Sequence, residues 1–202
     1  MNDNENIEEE EKINILALGN SNVGKTSYIL RYADNIYQTV YLATYGIDFK
    51  IKILFYDTSG EEKFKSISLN TIKNVDGIAL LYDITNQDSF EAISGWIKSI
   101  RESKGGNIPI VLLGNKCDLE DHREITKEEG KKLANEYNIN LFEISNKEGI
   151  NIEESCLELI NKIIENRENN EVLKEEMRIR KNSVKLRKSK ISNEKVNESN
   201  CC

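Results

Sequence analysis

The amino-acid sequence predicts an α/β fold with a mostly parallel central sheet and helices on both faces. Apolar runs of β-like composition alternate with helix-like segments, which is the pattern of parallel strands joined by covering helices. A glycine-rich loop of the form G-x-x-x-x-G-K-[ST] directly follows the first apolar run, at residues 19–26. A second polar motif, at residues 114–118, follows a later run, and α/β proteins bind ligands at such strand ends.

The first half of the chain contains three β-like runs. Ile13–Leu18 is a short aliphatic run that predicts a strand, and a helix-like segment extends from Lys25 to Tyr32. Residues 33–44 are polar and aromatic without periodicity, which indicates an exposed loop. The other predicted elements here are two strands, Ile51–Tyr56 and Gly77–Asp83, and a weak helix, Phe64–Lys73.

In the second half of the chain, helix-like and β-like segments also alternate. Phe90, Ile93, Ile97 and Ile100 recur at helical spacing and predict an amphipathic helix from about Asp88 to Lys104. Thr126-Lys127-Glu128-Glu129 has the spacing of a capping box, which opens a helix that ends near Tyr137. The remaining elements are strands at Ile108–Asn115 and Leu141–Glu143 and a helix from Ile152 to about Asn166.

Composition limits the class of protein. The 202 residues suffice for one domain with tails, and the net charge of −7 argues against a nucleic-acid partner, which needs a basic face. Residues 1–11 hold six acids and no base, which predicts a disordered lead-in. The apolar runs are too short to cross a bilayer. The four cysteines lack the spacing of a disulfide framework, which fits a reducing, cytosolic setting.

The glycine-rich loop predicts a phosphate site. Its glycines let backbone N–H groups turn inward around phosphates, and the following helix N-terminus favours negative charge. Lys25 can reach the terminal phosphates, and Thr26 offers a hydroxyl to Mg²⁺. The residues expected at the phosphates are Ser21, Asn22, Val23, Gly24, Lys25, Thr26 and Ser27.

The motif Gly114-Asn115-Lys116-Cys117-Asp118 predicts which base is bound. A carboxylate such as Asp118 can accept from both the ring N–H and the exocyclic amine of guanine. Adenine does not offer that pair of donors. The motif therefore favours a guanine nucleotide over the ATP of a phosphate-loop ATPase or kinase.

With these motifs the chain resembles the small Ras-like GTPases, and within them the Rab branch, from about Lys12 to Glu165. The resemblance implies a P-loop NTPase fold. Further matches are Thr44 in the first switch, Asp57-Thr58-Ser59-Gly60 in the second, Glu143 to Lys147, the segment Gly46 to Phe49, and the terminal Cys201-Cys202.

The resemblance implies a role for each matched residue. At the metal and phosphates, Thr26 and Thr44 would bind Mg²⁺, Asp57 would hold it through water, and the Gly60 N–H would meet the γ-phosphate. Tyr37 would stack on the guanine. The residues that would read, cover and enclose the base are Asn115, Lys116, Asp118, Ser145, Asn146 and Lys147.

The implied function is a GTP/GDP-dependent switch in vesicle traffic. Its partners would be an exchange factor, a GTPase-activating protein and effectors that bind the switch regions. The prenylation machinery and a GDP-dissociation inhibitor would act on the lipid-modified tail. The protein would work at the cytoplasmic face of intracellular membranes and cycle through the cytosol.

One departure from the family pattern concerns catalysis. Glu61 stands where the family has a glutamine that orients the attacking water. A carboxylate can accept from water but cannot donate to the developing charge on the phosphoryl oxygens. We expect weak hydrolysis, and the alternative is a GTP-binding module with little or no hydrolysis.

A second departure lies between Thr44 and Asp57, where only 12 residues stand in place of two hairpin strands. At about 3.3 Å per residue a short hairpin can still close. However, the run from Phe49 to Phe55 contains no turn-forming residue and reads as one strand. Either the edge hairpin is shortened or the chain lacks an inter-switch segment.

The predicted domain organisation is an acidic segment at residues 1–11, a Ras-like GTPase domain at residues 12–166 and a flexible tail at residues 167–202. Within the tail, Met177 to Lys190 holds seven bases and no acid. Basic residues near an anionic membrane surface contribute about 1 kcal/mol each. Prenylation of Cys201 and Cys202 would complete a two-signal anchor.

Overall fold

The structure is a computed structural model that describes residues 11–35, 51–57, 72–104 and 108–172. Its strands are β1 (Glu11–Leu18), β2 (Ile51–Tyr56), β3 (Gly77–Asp83), β4 (Ile110–Asn115) and β5 (Asn140–Glu143). Its helices are α1 (Lys25–Asn35), α2 (Gln87–Lys104), α3 (Lys127–Tyr137) and α4 (residues 152–172), with a 3₁₀ turn at Glu120–His122.

The strands form one sheet in the order β2-β1-β3-β4-β5, and all four pairings are parallel. This confirms the predicted α/β class with a mostly parallel sheet. β3 and β4 are buried along their whole length, as strands covered on both faces must be.

One face of the sheet packs against α2 and α3. Even-numbered residues such as Leu16, Leu80 and Leu112 belong to one apolar cluster with the buried stripe of α2 and with Ala134 of α3. Trp96 of that stripe is only 3% exposed, so its ring is part of the packing.

The opposite face packs against α1 and the first part of α4. Tyr28 of α1 contacts Phe55 of β2 edge to face, with ring centroids 6.5 Å apart. Its hydroxyl lies 3.1 Å from the Ser155 hydroxyl of α4. A Cβ at Gly77 of β3 would lie 2.6 Å from the Ile163 side chain, so helix and strand meet closely there.

The region between the predicted switches contributes β2, which pairs in parallel with β1 from Glu11↔Ile51 to Leu16↔Tyr56. This agrees with the prediction of an uninterrupted strand at Ile51–Tyr56. The preceding residues 36–50 lie outside the described part of the chain, as does most of the predicted weak helix Phe64–Lys73.

The chain divides into two compact units, Met1–Ile163 and Ile164–Cys202. In the second unit the structure describes helical residues 164–172, although the predicted helix ended near Asn166. Arg167, Glu168 and Glu171 lack apolar periodicity but have high helix propensity, which is sufficient to extend a helix already begun. Among the described helices, none is long and apolar enough to cross a bilayer.

Candidate functional site

The candidate site lies along the edge of the sheet where the strands end. Because all described strands are parallel, their carboxyl ends meet at one edge. β1 leads into the glycine-rich loop at Gly19, and β2 leads into Asp57. β4 ends at Asn115, and Ser145 follows shortly after β5. Residues far apart in sequence therefore converge.

The glycine-rich loop needs its glycines for steric reasons. Gly19 has φ +135° and Gly24 has φ +97°, both in the region that disfavours other residues. A Cβ at Gly19 would collide with the Leu81 carbonyl oxygen, and one at Gly24 would collide with the Asn115 amide. The loop can therefore lie against neighbouring strands only because these side chains are absent.

Lys25 begins α1 and is only 5% exposed. Its Nζ donates to the Asn20 carbonyl oxygen at 2.8 Å. Burial lowers the pKa of this ammonium, and the Asp57 carboxylate opposes the shift. The Asn20 side chain is anchored in turn by the Trp96 Nε1–H, which donates to its Oδ1 at 3.0 Å.

Two oxygen-bearing side chains meet beside Lys25. The Thr26 hydroxyl donates to Asp57 Oδ2. These residues line a cavity of about 440 Å³ together with Ser21, Asn22, Gly24 and Ser27. In the part of the chain that the structure describes, no three His, Cys, Asp or Glu side chains cluster as a metal site.

A second cavity, of about 460 Å³, shares the lining residues Asn22, Gly24 and Ser27 with the first, so the two are neighbours. Its other lining residues are Asn115, Lys116, Asp118, Leu119, Asn146 and Lys147. The structure thus brings the glycine-rich loop and the second polar motif into one cleft.

Hydrogen bonds hold the second polar motif in place. Asn115 is 2% exposed, and its Nδ2 donates to the Val23 carbonyl oxygen at 2.7 Å. The Ser145 hydroxyl donates to Asp118 Oδ1 at 2.6 Å. A carboxylate fixed through one oxygen keeps lone pairs on the other for a ligand. Ser145 thereby positions the group predicted to read the base.

Lys116 has a partner that sequence reasoning missed. Its Nζ lies 2.5 Å from Asp83 Oδ2, at the carboxyl end of β3. Asp83 is 6% exposed, and its Oδ1 accepts from the backbone N–H and the hydroxyl of Thr85, at 2.9 and 2.7 Å. One feature of the sequence points to Asp83: it is a charged residue at the carboxyl end of a buried strand, where α/β proteins bind ligands.

Arg123 was also missed, and all five of its N–H donors are used. They contact both oxygens of Glu120 and of Glu143, and the Ile125 carbonyl oxygen, at 2.7 to 3.0 Å. Glu143 ends β5 just before Ser145. Arg123 thus joins the loop after Asp118 to the strand that leads into the other side of the base pocket.

The sequence-predicted site residues divide into two groups. The structure brings together those in the glycine-rich loop, Asp57, and those that follow β4 and β5. Val23 and Ser145 among them are buried beside the cleft and do not line it. The others lie outside the described residues: Tyr37, Thr44, Gly60, Glu61, Cys201 and Cys202.

Comparison with known proteins agrees with this geometry. A model of the Ras family matches residues 14–165. Ras-related protein Rab-13 of Bos taurus is 41% identical over 160 residues, covering 74% of this chain and 79% of its own. Ras-related protein Rab-10 of Diplobatis ommata is 41% identical over 161 residues, covering 75% and 80%. Ras-related protein Rab-3D of Homo sapiens is 38% identical over 161 residues, covering 75% and 74%.

The matched span contains most of β1, all of β2 to β5 and the whole cleft, so the likeness covers the domain that carries the site. The chain belongs to the Ras family of small GTPases and, within it, to the Rab branch that acts in vesicle traffic.

Proposed function

We propose that this Rab-like GTPase holds its guanine nucleotide across the two neighbouring cavities. The single observation that carries the proposal is that the two cavities share Gly24 in their linings, with Lys25 and Thr26 in one lining and Asp118 in the other. The phosphates would lie along residues 21–27, with the Gly60 N–H at the γ-phosphate. The base would lie against Asn115, Lys116, Asp118, Ser145, Asn146 and Lys147, with Tyr37 stacked on it.

Mg²⁺ fits the donor set at the phosphate end. The Thr26 hydroxyl and the Asp57 carboxylate are hard oxygen donors already in contact, and Mg²⁺ prefers such ligands together with phosphate oxygens. Thr44 would complete the protein's share. The ion, when bound, would neutralise charge on the phosphates, while Lys25 contributes a fixed positive charge beside it.

The test is to purify the full chain, denature it and identify the released nucleotide by chromatography. Stoichiometric GTP or GDP is the expected result, because the base pocket offers the Asp118 carboxylate to guanine donors. Release of ATP or ADP would contradict the guanine assignment. A soluble chain with no nucleotide, or an aggregated one, would instead favour a chain that lacks an inter-switch segment.

We also propose that hydrolysis is slow because Glu61 cannot donate to the transferring phosphoryl group. The loss of one well-placed donor typically costs about 10²–10³ in rate. Glu61→Gln should therefore hydrolyse GTP faster than the native chain in a single-turnover assay. An unchanged or lower rate in the variant, at equal nucleotide loading, would overturn this proposal.

The nucleotide state would select partners through the switch regions: an exchange factor, a GTPase-activating protein and effectors. Prenylation of Cys201 and Cys202, with the basic run before them, would place the protein on the cytoplasmic face of intracellular membranes. A GDP-dissociation inhibitor would return it to the cytosol. Membrane fractionation of a Cys201→Ser/Cys202→Ser variant should show loss from the membrane pellet, and unchanged membrane content would contradict the anchor.

A further inference from the structure

Two side-chain amides reach the glycine-rich loop from the base side of the cleft. Asn115 Nδ2 donates to the Val23 carbonyl oxygen at 2.7 Å. Asn146 Nδ2 donates to the next carbonyl oxygen along the loop, that of Gly24, at 2.9 Å. Each amide therefore binds one peptide group of the loop by its oxygen. The Gly24 oxygen also accepts from the Tyr28 N–H of α1 at 2.9 Å, so Asn146 adds a second bond to that peptide group.

This contact fixes the direction of the opposite end of each peptide. In a planar trans peptide the C=O and the following N–H point in opposite directions. Holding the Val23 oxygen directs the Gly24 N–H away from Asn115, and holding the Gly24 oxygen directs the Lys25 N–H away from Asn146. These are N–H groups of the kind that such loops turn toward phosphates.

Backbone hydrogen bonds hold the loop that carries Asn146. The Ser145 N–H donates to the Ile150 carbonyl oxygen at 3.2 Å, and the Gly149 N–H donates to the Ser145 carbonyl oxygen at 2.8 Å, which closes the loop around Asn146. Its own backbone N–H donates to Asn115 Oδ1 at 3.3 Å. The two asparagines thus form one unit against Gly24.

The amide orientation of Asn146 follows from its neighbour. A carbonyl oxygen turned toward the Gly24 oxygen would be repelled, so the NH₂ must face it. Asn146 Oδ1 is buried and has no hydrogen-bond partner among the described residues. The contact with Gly24 is therefore the interaction that holds the side chain.

We propose that Asn146 is a positioning residue that couples the base pocket to phosphate binding, by holding the Gly24–Lys25 peptide with its N–H toward the phosphates. The inference rests on the proposed nucleotide site and deepens it. Its consequence is specific: the Asn146 amide raises affinity for the diphosphate more than affinity for the base.

The test measures GDP and GMP binding to the nucleotide-depleted full chain by competition with a fluorescent GDP analogue. Asn146→Ala should weaken GDP binding roughly threefold to tenfold, the range expected for one neutral hydrogen bond. Binding of GMP, which lacks the β-phosphate, should weaken by less. The ratio of GDP affinity to GMP affinity should therefore fall in the variant. GDP should also dissociate faster from the variant.

Asn146→Asp is the second variant. It keeps the size of the side chain but replaces the NH₂ donor with a carboxylate oxygen. It should therefore lower the GDP-to-GMP affinity ratio at least as much as Asn146→Ala does. Glu148→Ala, in the same loop and exposed, is the matched control and should leave the ratio unchanged.

Equal weakening of GDP and GMP in both Asn146 variants, or no weakening in either, would overturn the coupling while leaving the nucleotide site intact. Failure of the native chain to bind GDP would overturn the proposed function and this inference with it.

Discussion

At the scale of single residues, Asp83 determines where Lys116 lies. Lys116 has φ +68°, an unusual backbone conformation for a side chain of this length. Its ammonium pairs with Asp83, which is itself fixed by Thr85. A predicted base-covering residue is thus held by a carboxylate from a different strand.

The prediction is that Asp83→Asn speeds GDP release by about twofold to fivefold, the range of a partly exposed ion pair. The variant keeps an oxygen for Thr85 but loses the charge that holds Lys116. Stopped-flow release of a fluorescent GDP analogue measures the effect. Asp88→Asn removes the same charge from an exposed position nearby and should release GDP at the native rate. Equal rates in all three proteins would contradict the role of Asp83.

At the scale of elements, Arg123 joins a loop to a strand. Its side chain is 10% exposed, and that of Glu143 is 16% exposed, so this pair is largely removed from water. Hydrogen bonding to Glu143 and Glu120 raises the pKa of the guanidinium further above its usual range. It is therefore charged at every pH at which the protein is folded.

We predict that Arg123→Ala lowers the free energy of unfolding by about 2–4 kcal/mol, because it leaves the largely buried Glu143 with only a longer ion pair to Lys127, at 3.6 Å. Chemical unfolding of the full chain measures this loss. Glu120→Ala removes the exposed partner of the same arginine and should stay close to native stability. Similar losses in the two variants would contradict the assignment of the main contribution to Glu143.

Helix α3 carries an independent prediction that depends on pH. Thr126 caps it, with the hydroxyl accepting from the Glu129 N–H at 3.2 Å and the Glu129 carboxylate accepting from the Thr126 N–H at 2.9 Å. Bonding to the Thr126 hydroxyl and backbone holds the pKa of Glu129 below its ordinary 4.5. Its contribution to stability is therefore present above that pH and is lost as the pH falls below it.

Thr126→Ala should lower the free energy of unfolding by about 1 kcal/mol at neutral pH, the usual contribution of a helix N-cap. The difference from the native chain should narrow on acidification below pH 4.5, where the native cap also weakens. Thermal unfolding of both proteins at neutral pH and below pH 4.5 measures this difference in stability. A difference that stays constant through this range would show that Glu129 does not take part in the cap.

At the scale of the whole molecule, a ligand in the cleft would bind loops that follow four different strands. A ligand that binds only the folded state raises the free energy of unfolding by about 2.7 kcal/mol when its concentration is 100 times its Kd. For a chain of this length we predict that GDP raises the melting temperature by roughly 5–10 °C under that condition. ADP at the same concentration should raise it far less, and equal shifts would contradict guanine selectivity.

Local motifs explain why much of the fold and site could be predicted. The glycine-rich loop, the motif ending at Asp118 and the capping box at Thr126 each depend on residues a few positions apart, so their geometry follows from the chain itself. The strand Gly77–Asp83 was predicted with its observed bounds because a buried parallel strand is a continuous apolar run.

Contacts between distant segments could not be predicted in this way. Asp83 meets Lys116, and Asn146 meets Gly24, only because parallel pairing brings the ends of separate strands to one edge. No spacing within the sequence specifies these partners. The register of the sheet does so, and that depends on how the two apolar faces pack.

The sequence by itself determined the α/β class, the phosphate loop and the preference for guanine, since each rests on short-range composition and on the chemistry of single side chains. Only the tertiary structure decided that the two motifs line neighbouring cavities that share Gly24, and that Asn146, Asp83 and Arg123 hold the parts of this site. The physical reason is that a hydrogen bond or a direct ion pair forms only when its two groups lie about 3 Å apart, and only the packed sheet brings these groups that close.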